Sequence, residues 1–381
     1  MKKLTTLLSF LLALQIFTYG QDCKLRISVL TCAPGSELYS TFGHTAVRVI
    51  DSARGTDIVF NWGTFDFNDP SFYTKFVRGK LDYFLSMETP DEFLSTYQYE
   101  QRSVVEQELN LSCQQKSSLY HAIQTNLLPQ NRYYKYDFLK DNCTSRVRDL
   151  LKKHAGFTTS QNIVDDNTTY RNMLHQYLDG GGKPWSKLGI DILLGSELDK
   201  QANDHTAMFL PDYLMKGIDS SHTAGGSIVA SRNILYQATE EQEKGWNHAP
   251  LVVLSVFSAV VILFSFSKKR SAQRLLRVYD AALFVITGLL GFLVLFMWVG
   301  TEHTVCQKNF NLLWALPTHL FAAFLLNRRS KIARYYFLAA AILHAATLLL
   351  WAVIPQEINI ALFPFVLLLA VRCYQHYKKH R

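Results

Sequence analysis

Residues 131–152 read NRYYKYDFLKDNCTSRVRDLLK: an aromatic approach, a polar elbow at Lys140-Asp141-Asn142, then Cys143 opening a helix over about 144–153. Val147, Leu150 and Leu151 recur at helical spacing, with Arg146, Arg148, Lys152 and Lys153 on the other faces. A cysteine in the first turn of a helix faces unpaired backbone N–H groups and the positive end of the helix dipole. Both favour the thiolate, the nucleophilic form. On these residues alone a buried or disulfide-bonded structural cysteine fits equally well.

Working upstream, 25–31 (LRISVLT) alternates as a half-buried strand, and 44–50 (HTAVRVI) and 58–62 (IVFNW) form a hairpin turning at 51–57. Further strands are expected at 81–87 and 103–111, and helices at 114–128, 170–178 and 189–200. These make an α+β domain with a small antiparallel sheet packed by helices. Cys23 and Cys32 flank one strand, about 30 Å apart if extended, and so cannot bond each other. If 103–111 pairs antiparallel with 25–31, Cys113 comes near Cys23. Cys32 is a rival nucleophile, placed at a strand end rather than a helix start.

A thiolate nucleophile needs a base, commonly histidine, and the histidine an orienting polar group. His154 lies about 16 Å along the helix from Cys143, too far to act. His121 falls on an amphipathic helix surface. His44 begins a strand directly after Gly43, where backbone or substrate can approach closely, and is the best base by position. Asn61 lies about one diagonal from it across the hairpin and could orient it, or could cap the strand end. Arg48 shares the face of His44 by period two and could bind a phosphate or end in a structural ion pair. Tyr134 and Tyr136 could line a cleft or the core.

The 381-residue chain is 49% hydrophobic with a net charge of +8, but its two halves differ. Residues 1–20, with Lys2, Lys3 and an apolar run to Phe17, read as a secretory signal peptide without a lipobox. Residues 21–248 are mixed in polarity and form one domain. Apolar runs follow at 249–266, 281–299, 312–326, 335–354 and 358–371, inside a membrane half of 249–372, with a basic cytoplasmic tail at 373–381. Only the first, second and fourth reach the roughly 18–20 residues of a spanning helix. Basic residues cluster at 268–277, 328–334 and 372–381, and five spans place all three groups on the cytoplasmic side. Residues 249–381 carry fourteen Lys and Arg against Asp280, Glu302 and Glu357, so the positive charge belongs to topology and no nucleic-acid partner is expected. Glu302, His303, Asn309 and Asn311 gather between the second and third spans, where ionisable groups can be functional or a solvated loop. His319 and His344 fall near mid-span and could bond each other across helices. No cofactor and no metal is expected.

A strand-borne histidine upstream of an Asn-Cys helix start resembles the permuted NlpC-type, papain-like fold. More closely, CAPGSELYSTFGHTAVRV, VFNWGTFDF, YDFLKDNCTSRVRD and TEHTVCQKNFNLLWALPTH resemble the Lnb family, lipoprotein N-acyltransferases of Bacteroides-type bacteria, over nearly the whole chain. The resemblance implies a permuted NlpC-type papain-like periplasmic domain followed by a five-helix transmembrane bundle in the bacterial inner membrane. It implies an acyltransferase in which Cys143, with His44 as base and Asn61 as orienter, takes an acyl chain from a phospholipid as thioester. The chain then passes to the α-amino group of a diacylated lipoprotein. Arg48, Tyr136, His303 and Asn309 are the substrate-binding candidates. A membrane-anchored cysteine peptidase or amidase acting on the cell wall is the alternative, though five helices exceed what an anchor needs. A non-catalytic assembly factor with a structural cysteine is the third possibility.

Overall fold

The computed structural model describes residues 23–379, apart from 67, 158–161, 224–225, 240–244 and 329. The signal peptide read over 1–20, Arg329 and Arg381 lie outside the described residues. The N-terminal half runs β1 (Leu25–Cys32), β2 (His44–Asp51), β3 (Thr56–Thr64), α1 (Phe72–Val77), β4 (Asp82–Glu88), α2 (Pro90–Tyr99), β5 (Val104–Leu109), α3 (Cys113–Leu127), β6 (Tyr133–Lys135) and α4 (Cys143–Ala155). It continues with α5 (Tyr170–Gly180), α6 (Pro184–Leu193), α7 (Pro211–Asp219) and β7 (Val229–Tyr236). The strands make one antiparallel sheet in the order β6-β4-β3-β2-β1-β5-β7.

Side chains alternate across the sheet. Ile27, Val29, Val47, Val49, Phe60 and Trp62 face one way, into a core with Leu119 and Ile123 of α3 and Val147 and Leu151 of α4. Leu30, Cys32, Ala46 and Val59 face the other way, against Phe93 and Tyr97 of α2. β1 does pair with β5, Ser28 opposite Glu108, the register that carries Cys113 toward the Cys23 end of the strand. The helix expected over 189–200 is displaced. Pro184, whose fixed φ suits a first helical turn, starts α6 five residues earlier, and the chain then tightens into a 3₁₀ turn at Ser196–Asp199. β7 is an edge strand with half of its residues exposed and none buried, so its sequence lacks the alternation that marks a half-buried strand.

Among the described residues of the membrane half, three helical segments are long and apolar enough to cross a bilayer: α9 (Arg270–Val299), α10 (Lys331–Leu349) and Ile360–Lys379. The last contains α11 (Phe363–Lys379), and a shorter apolar helix, α8 (Ala249–Ser265), precedes α9. The expected third span is not one helix. Residues 310–325 fold as short turns, Phe310–Leu313, His319–Ala322 and Ala323–Leu325, around Pro317. They lie so close to α9 that a Cβ on Gly288 or Gly291 would collide with the backbone of Leu320 or Ala315. Buried Asp280 on α9 takes two bonds from Arg372 of α11, at 2.7 and 2.6 Å, and faces His376 Nε2 at 2.8 Å. That pairing is what an ionised group inside a membrane half requires.

The two halves are bonded together. Asn309 Nδ2 donates to the Ile192 and Leu193 carbonyls at the end of α6, Asn311 Nδ2 to Asp191 O, and Gln356 Nε2 to Leu194 O. The Gly195 N–H donates to Val305 O at 2.8 Å. Beneath this seam the buried Arg171 binds Asp191, Asp199 and the Leu194 and Gly195 carbonyls.

Candidate active site

Asn142 caps α4: its side-chain oxygen accepts from Thr144 N at 2.9 Å and Ser145 N at 2.8 Å. Its amide is itself held by the Phe138 and Phe209 carbonyls. Cys143 is therefore the first helical residue, fixed against the end of β2, where Thr45 Oγ1 and Thr144 Oγ1 lie 3.0 Å apart. His44 Nε2 stands 2.5 Å from Asn61 Oδ1, and Asn61 Nδ2 donates to Glu88 Oε1 at 3.0 Å. The Glu88 carboxylate needs the amide NH₂, so the amide oxygen is turned to His44 and Nε2 carries the proton. Nδ1 is left to engage Cys143.

The electrostatics agree. Burial pushes the Cys143 thiol up, but the charge of His44 and hydrogen bonds from His44, the Thr45 N–H and Thr144 outweigh it and bring the thiol down to about 7. Burial pushes the His44 imidazole down, while the Cys143 charge and bonds to Cys143 and Asn61 hold it above its ordinary value. The pair is thus disposed as thiolate and imidazolium near neutrality. Cys32, paired with His44 across β1–β2, differs: it is wholly buried, and burial pushes its thiol up to about 12. A neutral buried thiol is a poor nucleophile.

Gly63 explains why the pair is reachable. Its φ is +97°, and a Cβ there would sit 3.8 Å from Cys143 Cβ and 4.0 Å from His44 Cε1. Any longer side chain would cover the sulfur.

The other sequence candidates divide. Tyr136 stacks on Tyr83 with centroids 4.6 Å apart and, with Phe42, Phe138, Leu193 and Met297, lines an apolar cavity of about 330 Å³. His303 to Cys306 close its membrane side, and His303 Nε2 stands 3.0 Å from Phe76 O. Burial and the Cys143 charge push the Tyr136 hydroxyl upward. Arg48 is spent elsewhere: Nε and Nη2 bind Asp57 at 2.8 and 2.6 Å and Nη1 reaches Glu106, the ion pair rather than a phosphate site. Asn309 is buried, and its amide fastens the two halves of the protein. Tyr134 lies in the core under the Arg146 guanidinium. Glu88 and Gly63 escaped sequence reasoning. A bulge between Asn61 and Thr64 shifts the β3–β4 register, so no strand count places Glu88 behind Asn61.

Fold and site together define a membrane protein whose periplasmic α+β domain brings together a cysteine, a histidine and an asparagine and shares an apolar cavity with the membrane half. The Lnb N-terminal periplasmic domain matches residues 21–176 and the Lnb transmembrane domain matches residues 240–381. By both domains, in order, the chain belongs to the Lnb family. No curated protein and no solved structure matches it.

Proposed function

We propose that this protein is a lipoprotein N-acyltransferase working through a Cys143 thioester. The observation that carries the reading is an apolar cavity lined by both halves of the chain and by Tyr136 to Phe138, the segment that leads into Cys143, a space fit to take an acyl chain from the bilayer. The Cys143 thiolate attacks the ester carbonyl of a phospholipid. The backbone N–H of Cys143, outside the pair that Asn142 caps, is the natural donor to the oxyanion. The C–O bond breaks, the lysophospholipid alkoxide takes the proton from His44, and the acyl group stays on sulfur. The α-amino group of a diacylglyceryl-cysteine lipoprotein then attacks the thioester. His44 accepts its proton, an amide forms and the thiolate returns.

With this reading goes a permuted NlpC-type arrangement, supported by histidine on a strand preceding cysteine at a helix start. The topology is five crossings with a cytoplasmic C-terminus, supported by the basic clusters at 268–277, 328–334 and 372–379. Full-length protein given phospholipid alone should gain an acyl-sized mass on Cys143 that neutral hydroxylamine removes. A diacylated lipopeptide should discharge it with transfer to the peptide amine. Hydrolysis of peptidoglycan fragments, without acylation, would move the assignment to the cell-wall hydrolase.

A further inference from the structure

The membrane half buries a second group of reactive side chains, apart from the Cys143 site. His319 opens the turn His319–Ala322, His344 lies in α10 and Cys373 in α11, and none of the three has measurable exposure. One nitrogen of each imidazole and the Cys373 sulfur all lie within 4.8 Å of one another. The two Nε2 atoms face each other at 3.1 Å.

His319 also has an oxygen behind it. Tyr336 Oη is 2.9 Å from His319 Nδ1 and is itself 3.1 Å from Thr318 Oγ1. The buried His344 Nδ1 has no hydrogen-bond partner among the described residues. An oxygen behind the far nitrogen is how metal-bound histidines are oriented, since it places the proton on Nδ1 and turns the Nε2 lone pair forward. Two Nε2 atoms facing each other at that distance need a cation or a shared proton between them.

We propose that His319, His344 and Cys373 form a binding site for a thiophilic d¹⁰ cation, Cu(I) in the first instance. Thiolate and imidazole ligands select such ions over magnesium or calcium. Bonds of about 2.0–2.1 Å to nitrogen and 2.3 Å to sulfur place ligand atoms roughly 3.3–3.7 Å apart around one ion. The nitrogens are within a few tenths of an ångström of that, and the sulfur needs to close by about an ångström. Charge favours copper over zinc. On binding, the Cys373 thiol releases its proton to water, and Cu(I) with one thiolate and two neutral imidazoles carries no net charge. Zn(II) would leave a net positive charge among Phe284, Phe337 and the apolar face of α10. The nearest carboxylate, Asp280, is already taken by Arg372 and His376. Bound there, the ion ties the 319–322 turn, α10 and α11 at one point.

The test uses full-length protein in detergent with Cys143→Ala throughout, so that the nucleophile adds no sulfur ligand. Protein is loaded anaerobically with Cu(I) or Zn(II) against a competing chelator, desalted, and its metal counted per chain. About one Cu(I) should be retained, and at least tenfold less after Cys373→Ala or His344→Gln in variants that keep the elution profile. X-ray absorption on the unsubstituted site should show one sulfur and two imidazoles at copper, a readout independent of how the variants fold. Zn(II) retained with that same ligand dependence supports the site and changes only the ion. No retention, equal retention by the variants, or a shell without sulfur overturns the proposal and leaves a shared proton between the two histidines.

Discussion

Replacing Asn61 with alanine removes the bond at 2.5 Å to His44 Nε2 and leaves Glu88 without its amide partner, while β3 keeps its backbone pairing. The lost bond is to a group that carries charge in the reactive pair, and such bonds contribute about 1.5–3 kcal/mol. At about 1.4 kcal/mol per tenfold, acyl transfer should fall roughly 10- to 150-fold, short of the complete loss that follows removal of the nucleophile. The change should also appear without any substrate. Asn61 supports the imidazolium, and the imidazolium holds the Cys143 thiol at about 7 rather than 9.0. Loss of that support raises the thiol, so the thiolate forms at higher pH. Iodoacetamide labelling of Cys143, followed by peptide mass across pH 5–10, reads this directly. The labelling midpoint should rise by about one to two units. A midpoint and a transfer rate both unchanged, in folded Asn61→Ala protein, would refute the coupling between the three residues.

Other outcomes follow from the same geometry. Cys143→Ala should abolish transfer, whereas Cys32→Ala, which removes a neutral buried thiol, should retain it; lipoprotein N-acylation in a complemented strain distinguishes them. Arg171→Met takes the guanidinium from buried Asp191, which keeps His175 and Asn359, and from half-buried Asp199, and should lower stability by about 3 kcal/mol, read as a lower melting temperature of the solubilised protein. A reporter active only outside the cytoplasm, fused after Arg381, should stay silent if the chain crosses five times.

Legibility in the sequence was uneven for physical reasons. The helix start at Cys143, the strand at His44 and the diagonal to Asn61 were readable because each depends on residues close in sequence and on fixed periodicities. The β1–β5 pairing entered only as a condition, because a strand's own pattern does not name its partner, and the register bears it out. Glu88 was hidden by a bulge, and the fates of Arg48 and Asn309 by partners far along the chain. The broken segment at 310–325 reads as an apolar span by composition. Its fold is set by contact with Gly288 and Gly291, to which hydropathy is blind.

The carbonyls that end α6 are capped by Asn309 and Asn311, residues made more than a hundred positions later. During synthesis the periplasmic domain emerges first, with that helix end open to water and the Met297–Cys306 wall of its cavity not yet translated. The helix end and the cavity are therefore complete only when both halves are present. A chain stalled or clipped before Thr301 would expose an unfinished α6, giving quality-control proteases a target before any lipid could be attacked.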